Sequence, residues 1–249
     1  MGQNLLRCAQ KISGCDIVAA LERPDFPALG KHVADYPTEL IYTSEWPKQA
    51  EAVIDFTFHS CVTSNIQQAV ANKQAVVLGT TGLSEDEKQV VREASKQIPI
   101  VWAANMSLGV NLLLELVKRA AEVLDTHYDI EIVEAHHRLK KDAPSGTALM
   151  LAEAAAAGRK VALKDVACYG REGIVGERPK GEIGIHAVRG GAIVGDHTVA
   201  LISDEECVEI THKASSREAF AAGALRAALW LAHRKPGIYT MRDVLGFTA

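Results

Sequence analysis

His136 and His137 stand side by side, and Lys140 and Lys141 follow closely, in the string Glu131-Ile-Val-Glu-Ala-His-His-Arg-Leu-Lys-Lys-Asp-Ala-Pro-Ser-Gly-Thr147. Imidazole passes protons readily near neutral pH, and an amine does so when partly desolvated. Pro144-Ser-Gly-Thr147 opens an alanine-rich stretch, and backbone amides at a helix start can hold an anion. With Ser145 and Thr147 as further donors and Lys140 as a cation, a dicarboxylate would find several partners in one place. The segment reads as an acid–base site beside a carboxylate or phosphate pocket.

Two plainer readings use the same residues. Ser145 and its neighbours can simply cap a helix, the commonest use of such a turn. A His-His pair at a strand end can be half of a metal site, but catalytic zinc takes a third protein ligand. No Glu-x-x-His or Cys stands nearby, and His186, His197 and His212 are candidates by residue type alone, so no metal is expected.

The elements that must carry these residues follow from periodicity. Asp16–Leu21, Ala52–Thr57, Ala75–Leu78 and Ile98–Ala104 read as short buried strands, with helical patterns near 3–12, 62–72 and 84–97. Such alternation predicts a parallel sheet covered on both faces, with ligands bound beyond the carboxyl ends of the strands. A long amphipathic helix is expected from Leu108 to Leu124, then a strand over Tyr128–Ala135 and a helix over Thr147–Ala157. Strands near 183–189, 193–202 and 206–212 are punctuated by glycine, and Gly190-Gly191 signals a two-residue hairpin. These predict an open, largely antiparallel sheet whose bare face a partner subunit would cover. Helix returns over Ala219–His233, and Tyr239–Phe247 closes the chain.

A dinucleotide-binding unit opens strand–glycine loop–helix, with an acid about 20 residues beyond the loop for the ribose diol. The chain begins Met1-Gly2-Gln3-Asn4, and Glu22 lies 20 residues beyond Gly2 with Arg23 after it, suited to a 2′-phosphate. The first strand and most of the glycine loop of such a unit are missing, so a start further upstream is expected. Without that loop, Glu22-Arg23 by itself reads as a solvated pair, and Gly79-Thr-Thr-Gly82 by itself as a turn.

Composition narrows the class. Of 249 residues, 48% are hydrophobic and 23% charged, with a formal net charge of −4 and no long block of one sign. Disorder, nucleic-acid binding and membrane-surface binding are therefore not expected. The five cysteines (8, 15, 61, 168 and 207) are scattered and lack Cys-x-x-Cys spacing. This pattern fits reduced thiols in a cytoplasmic protein. No apolar run is long enough to span a bilayer.

The string Glu134-Ala-His-His-Arg-x-Lys-x-Asp-Ala-Pro-Ser-Gly-Thr-Ala148 resembles the signature of the 4-hydroxy-tetrahydrodipicolinate reductase (dihydrodipicolinate reductase) family. Gly184–His197 resembles that family's hairpin segment, as Glu209–Arg217 resembles the segment after it, and similarity runs from Gly2 to about Phe247. The resemblance implies NADH- or NADPH-dependent reduction of a cyclic imine dicarboxylate in lysine and diaminopimelate biosynthesis. It implies a Rossmann-like α/β dinucleotide-binding domain over 1–107 and 217–249. An α+β substrate-binding and oligomerisation domain with an open mixed sheet would span 108–216, and the assembly would be a homotetramer.

In that resemblance His136 assists proton transfer, Lys140 donates the proton, and His137, Gly146 and Thr147 contact the substrate carboxylates. Gly2, Glu22, Arg23, Gly79, Thr80 and Thr81 would meet the cofactor, as would Ala103, Ala104, Asn105 and Met106 of the strand-to-hinge segment. Phe58 departs from members that place a basic residue there, and Arg189 is the residue of its segment expected to have a role beyond the sheet, in the site or at a subunit interface. Alternatives are a nicotinamide enzyme acting on another small carboxylate, and a non-catalytic or impaired paralogue lacking the pyrophosphate loop.

Overall fold

The computed structural model describes residues 1–34, 36–37 and 39–247. The chain forms two compact units, one from Met1–Leu108 with Arg217–Ala249, the other from Gly109–Ser216.

The first unit contains α1 (Gly2–Ala9), β1 (Ala20–Leu21), β2 (Tyr42–Thr43), β3 (Ala52–Asp55) and α2 (His59–Ala71). It continues through β4 (Ala75–Leu78), α3 (Glu85–Ala94) and β5 (Pro99–Trp102). Strands β5, β4 and β3 form a parallel sheet, completed on the β5 side by a strand from the end of the chain. Every residue of β4 is buried, which is why Ala-Val-Val-Leu is apolar throughout rather than alternating. On one face, Ile66 of α2 and Val91 of α3 pack on Val76, Leu78 and Ile100. Ser84 caps α3 in a capping box with Glu87, and Glu87 Oε1 also lies 3.1 Å from His59 Nδ1 at the start of α2.

The second unit takes α4 (Leu108–Val123) from Gly109 onward, followed by β6 (Asp129–His136), α5 (Gly146–Gly158), α6 (Leu163–Val166) and β7 (Ala167–Tyr169). β8 (Ile183–Arg189), β9 (Asp196–Ile202) and β10 (Cys207–Lys213) complete it. α4 and α5 cover one face of its sheet, with Val117, Leu151 and Ala155 on Ile130, Ile132, Ile185 and Leu201. The chain then returns to the first unit as α7 (Glu218–Leu231), β11 (Gly237–Tyr239) and α8 (Met241–Leu245). There β11 pairs with β5, and Ala224, Ala227 and Leu231 of α7 cover Val77 and Val101.

Three expectations need correction. The strand predicted over Asp16–Leu21 pairs only at Ala20 and Leu21, with β2. Ile17 still packs against the cluster of Cys8 and Leu225, so its apolar character reports burial rather than a ladder.

The second unit's sheet is mixed, in the order β10-β9-β6-β8-β7, antiparallel among the first three strands and parallel among the last three. Gly190-Gly191 is not a hairpin turn, because β6 lies between β8 and β9. The glycine pair instead extends past the end of β6, where Gly190 N–H donates to His136 O and Arg138 N–H to Gly191 O. Gly191 does so at φ +51, which glycine adopts without steric cost.

The sheet face away from α4 and α5 carries a charge cluster. Glu131 accepts from both Arg171 and Arg178 and lies 2.6 Å from His186 Nε2. Burial pushes the Glu131 carboxyl up, but Arg171, His186 and Arg178 outweigh it and bring it down to about 2. Val133 and Val188 are exposed on this face. Among the described residues no helix is long and apolar enough to cross a membrane.

Candidate active site

The side-chain alternation of β6 builds the site. Ile130 and Ile132 point into the core under the helices, and period-two geometry places Glu134 and His136 on the same face. The same holds on β9, where His197 shares a face with Val199 and Leu201, and on β8, where Arg189 follows Ile183 and Ile185. One end of this apolar face thus becomes polar, and Ser145, the residue capping α5, arrives at the same end.

Glu134 is fully buried and accepts four hydrogen bonds. Arg189 grips it as a fork, Nη1 to Oε2 at 2.8 Å and Nη2 to Oε1 at 2.7 Å. His136 Nδ1 lies 2.6 Å from Oε2, and the Ser145 amide donates to Oε1 at 3.0 Å. Burial pushes this carboxyl up, but Arg189, His136 and the Ser145 amide outweigh it and hold it below the ordinary glutamate range.

Ser145 Oγ accepts from the Ala148 amide, which is the N-cap bond of α5, and lies 3.0 Å from His197 Nε2. Burial, followed by the neighbouring His136, pushes the His197 imidazole down to about 4, so it is neutral at physiological pH. Its Nδ1 is buried without a hydrogen-bond partner among the described residues. The His136 and His197 rings meet edge to face at 5.2 Å. The remaining nitrogen of His136 faces Gly195, where a Cβ would stand 3.0 Å from Nε2.

Lys140 is largely covered and paired with the exposed Asp142, Nζ to Oδ2 at 2.8 Å. Its backbone amide donates to His137 O in the tight turn after β6. Space beside the Gly146 Cα is open, with nothing within 4 Å of where a Cβ would be, so a ligand can approach the first amides of α5. Thr147 follows in the same turn, half-buried. No group of three or more His, Cys, Asp or Glu among the described residues is arranged to hold a metal.

In the first unit Gly79–Thr81 follow β4 and Ala103–Met106 follow β5 at the carboxyl ends of parallel strands, whereas Gly2 opens α1 and Glu22 and Arg23 follow β1 of a separate two-stranded sheet. Buried Asp55, at the end of β3, braces two loops. Its Oδ1 accepts from the Thr57 amide at 2.9 Å, from Thr57 Oγ1 at 2.7 Å and from Thr80 Oγ1 at 2.8 Å. Oδ2 accepts from Asn65 of α2 at 2.9 Å. Thr80, Asn105 and Met106 have buried side chains, and Asn105 Oδ1 caps the Ser107 amide. Thr81 and Ala104 are exposed, beside half-buried Gly79 and Ala103. Glu22 is exposed at the end of β1, while Arg23 pairs with Asp25 at 3.1 Å, both well solvated. Phe58 precedes α2 with most of its side chain in solvent.

Residues 1–106 match the profile described as Dihydrodipicolinate reductase, N-terminus, and residues 109–245 that described as Dihydrodipicolinate reductase, C-terminus. The chain belongs to the dihydrodipicolinate reductase family. It is 45% identical to a 4-hydroxy-tetrahydrodipicolinate reductase of Anaeromyxobacter dehalogenans (strain 2CP-C), across 99% of this chain and 94% of that one. Its fold is similar to that of a dipicolinate-bound dihydrodipicolinate reductase from Paenisporosarcina sp. TG-14. That likeness has a TM-score of 0.74 at 20% identity, over 97% of this chain and 94% of the other. A probable dehydrogenase from Thermotoga maritima shares the fold more distantly, at TM-score 0.57 and 10% identity, over 99% of this chain and 92% of that one.

In this reductase-family chain, Glu134 and His197 are the buried residues to which sequence reasoning gave no part in this site, whereas Ser145, expected as a donor and helix cap, does cap α5. Arg189, singled out from its segment in the sequence, directs its guanidinium to Glu134 and to the carbonyl of Asp142. The alternation of β6 carried a usable signal. Acid and imidazole at 134 and 136 continue the apolar positions 130 and 132 and so belong to the buried face.

Proposed function

We propose that this chain reduces 4-hydroxy-tetrahydrodipicolinate to tetrahydrodipicolinate with NADH or NADPH, releasing water, in lysine and diaminopimelate biosynthesis. The observation that carries the reading is the placing of His136, at the end of β6, beside the open amide start of α5. Family membership over nearly the whole chain supports it.

Reduction of the dehydrated ring needs a hydride at one end of the conjugated system and a proton at the other. A bound dihydronicotinamide supplies the hydride. Lys140 donates the proton and His136 assists the transfer, while His137, Gly146 and Thr147 hold the substrate carboxylates at the first turn of α5.

The first unit suits a nicotinamide cofactor. Its braced Gly79–Gly82 loop and the Ala103–Met106 segment both follow parallel strands, where α/β sheets bind nucleotides. Gly79, Thr81, Ala103 and Ala104 would line the cofactor directly. Thr80, Asn105 and Met106 would shape the backbone that does so, and Gly2 would approach the pyrophosphate. Glu22 would take the ribose diol. Arg23 would accept a 2′-phosphate on leaving Asp25, which fits use of both cofactors. A homotetramer built on the open sheet face would cover Val133 and Val188.

The test is oxidation of NADH or NADPH by this chain, supplied with freshly generated 4-hydroxy-tetrahydrodipicolinate. Turnover with that imine and none with other small oxo or imino carboxylates is the expected result. Activity confined to another carboxylate would replace the proposed substrate, and no activity with any would reject the catalytic reading.

A further inference from the structure

We infer that Glu134 is a positioning residue that sets the tautomer of His136 and ties the ring to the anion-binding start of α5. The inference rests on the reductase reading for its chemistry but on the geometry of the second unit for its substance.

An ionised carboxylate has only acceptors to offer. Glu134 is kept in that form by the Arg189 fork and the Ser145 amide, both of which donate to it. The bond of 2.6 Å to His136 Nδ1 therefore requires the hydrogen to sit on that nitrogen. Nε2 is then the only ring atom of His136 able to take up or release a proton, and it is the atom that faces the small residue Gly195.

The same carboxylate reaches the second half of the site through its other oxygen. Oε1 accepts from the backbone of Ser145, the residue whose hydroxyl caps α5. One buried group therefore fixes both the imidazole and the first amides of the helix that would hold the substrate carboxylates. A shift of Glu134 would disturb both together. No other described acidic residue does this, since Asp142 meets Lys140 and Glu131 lies on the opposite sheet face.

The direct test is the imidazole ¹⁵N spectrum of the full chain labelled at histidine, with His136 assigned by its loss in His136→Asn. The expected result, read at a pH where the ring is neutral, is a hydrogen on Nδ1. A neutral ring protonated on Nε2 would overturn the inference, whether or not the chain turns over any imine. The kinetic arm uses Glu134→Gln and, because that takes the carboxylate from the Arg189 guanidinium, the double variant Glu134→Gln with Arg189→Gln. Whichever of these folds should lose about 10²-fold or more in kcat. It should also show a raised KM for the imine and little change in KM for the nicotinamide cofactor. A folded variant with kcat within threefold of the parent would equally overturn it. Failure of the reductase reading itself would show separately, as an inactive parent chain with His136 still protonated on Nδ1.

Discussion

Gly195 and His136 are matched in size: the position a Cβ would take at Gly195 is 3.0 Å from His136 Nε2 and 3.4 Å from Cδ2. The ring has little freedom to retreat, because Glu134 holds its other nitrogen. Gly195→Ala should therefore push the imidazole off its working position. Turnover should drop by about tenfold or more, with the overpacking itself costing about 1–3 kcal/mol. Parallel measurement of kcat and of the urea midpoint would check this. A large loss of stability with unchanged kcat in the folded fraction would refute it.

Lys140→Ala should lower kcat by about 10²-fold or more, the usual worth of a positioned proton donor. Its effect on cofactor affinity should be far smaller, because the predicted cofactor residues all belong to the other compact unit. Equal losses in turnover and in NADH affinity, read by kinetics and fluorescence titration, would remove Lys140 from the catalytic role.

Asp55→Ala should loosen the loop after β4, since Thr57, Thr80 and Asn65 all donate to that carboxylate. Losing a buried acceptor of this kind leaves donors unpaired at about 1–3 kcal/mol. The Kd for NADH or NADPH should rise, while binding of a dicarboxylate inhibitor to the second unit should not. Calorimetric titration of both ligands would measure the pair.

His197 makes stability depend on mild acid. Burial, and then His136, hold its imidazole at about 4 in the folded chain, below the ordinary value near 6.5. The unfolded chain therefore binds the proton first. The associated stability is complete above about pH 6.5 and is lost as pH falls towards 4, amounting to about 2 kcal/mol by pH 5. His197→Gln should flatten the difference between denaturant midpoints at pH 7 and pH 5. An unchanged slope would contradict the assignment.

Glu131 acts in a lower window. Burial opposes its ionisation, yet Arg171, His186 and Arg178 bring it to about 2. Its contribution is present above an unfolded value near 4.5 and disappears as pH falls from there towards 2. Thermal unfolding between pH 5 and pH 2.5 should be steeper in the parent than in Glu131→Gln, which starts less stable at neutral pH. Parallel curves would reject the arrangement around Glu131.

Periodicity made most elements legible. The continuous run Ala75–Leu78 marked a strand buried on both faces, the spacing of leucine and valine marked α4, and Pro-Ser-Gly-Thr marked the start of α5. Strand order was not legible, because pairing depends on residues distant in sequence. Gly190-Gly191 has the composition of a hairpin turn but runs alongside the end of β6 instead. His136 and Lys140 stood out by residue type. Glu134 and His197 did not, because their importance lies in being buried opposite one another on adjacent strands. Arg23 shows the converse case: its spacing suits a ribose phosphate, and its observed partner is Asp25.

The first unit is interrupted in sequence by the whole of the second. Its edge strand β11 and the covering helix α7 come from residues synthesised only after β10. During synthesis the faces of β3 and β4 that α7 will cover stay bare while residues 109–216, which are contiguous, gain everything they need to collapse. The unit that emerges first is therefore the one completed last. Its half-built sheet is where a nascent chain would meet chaperones, and where a destabilising substitution in α7 would lower yield before it lowered activity.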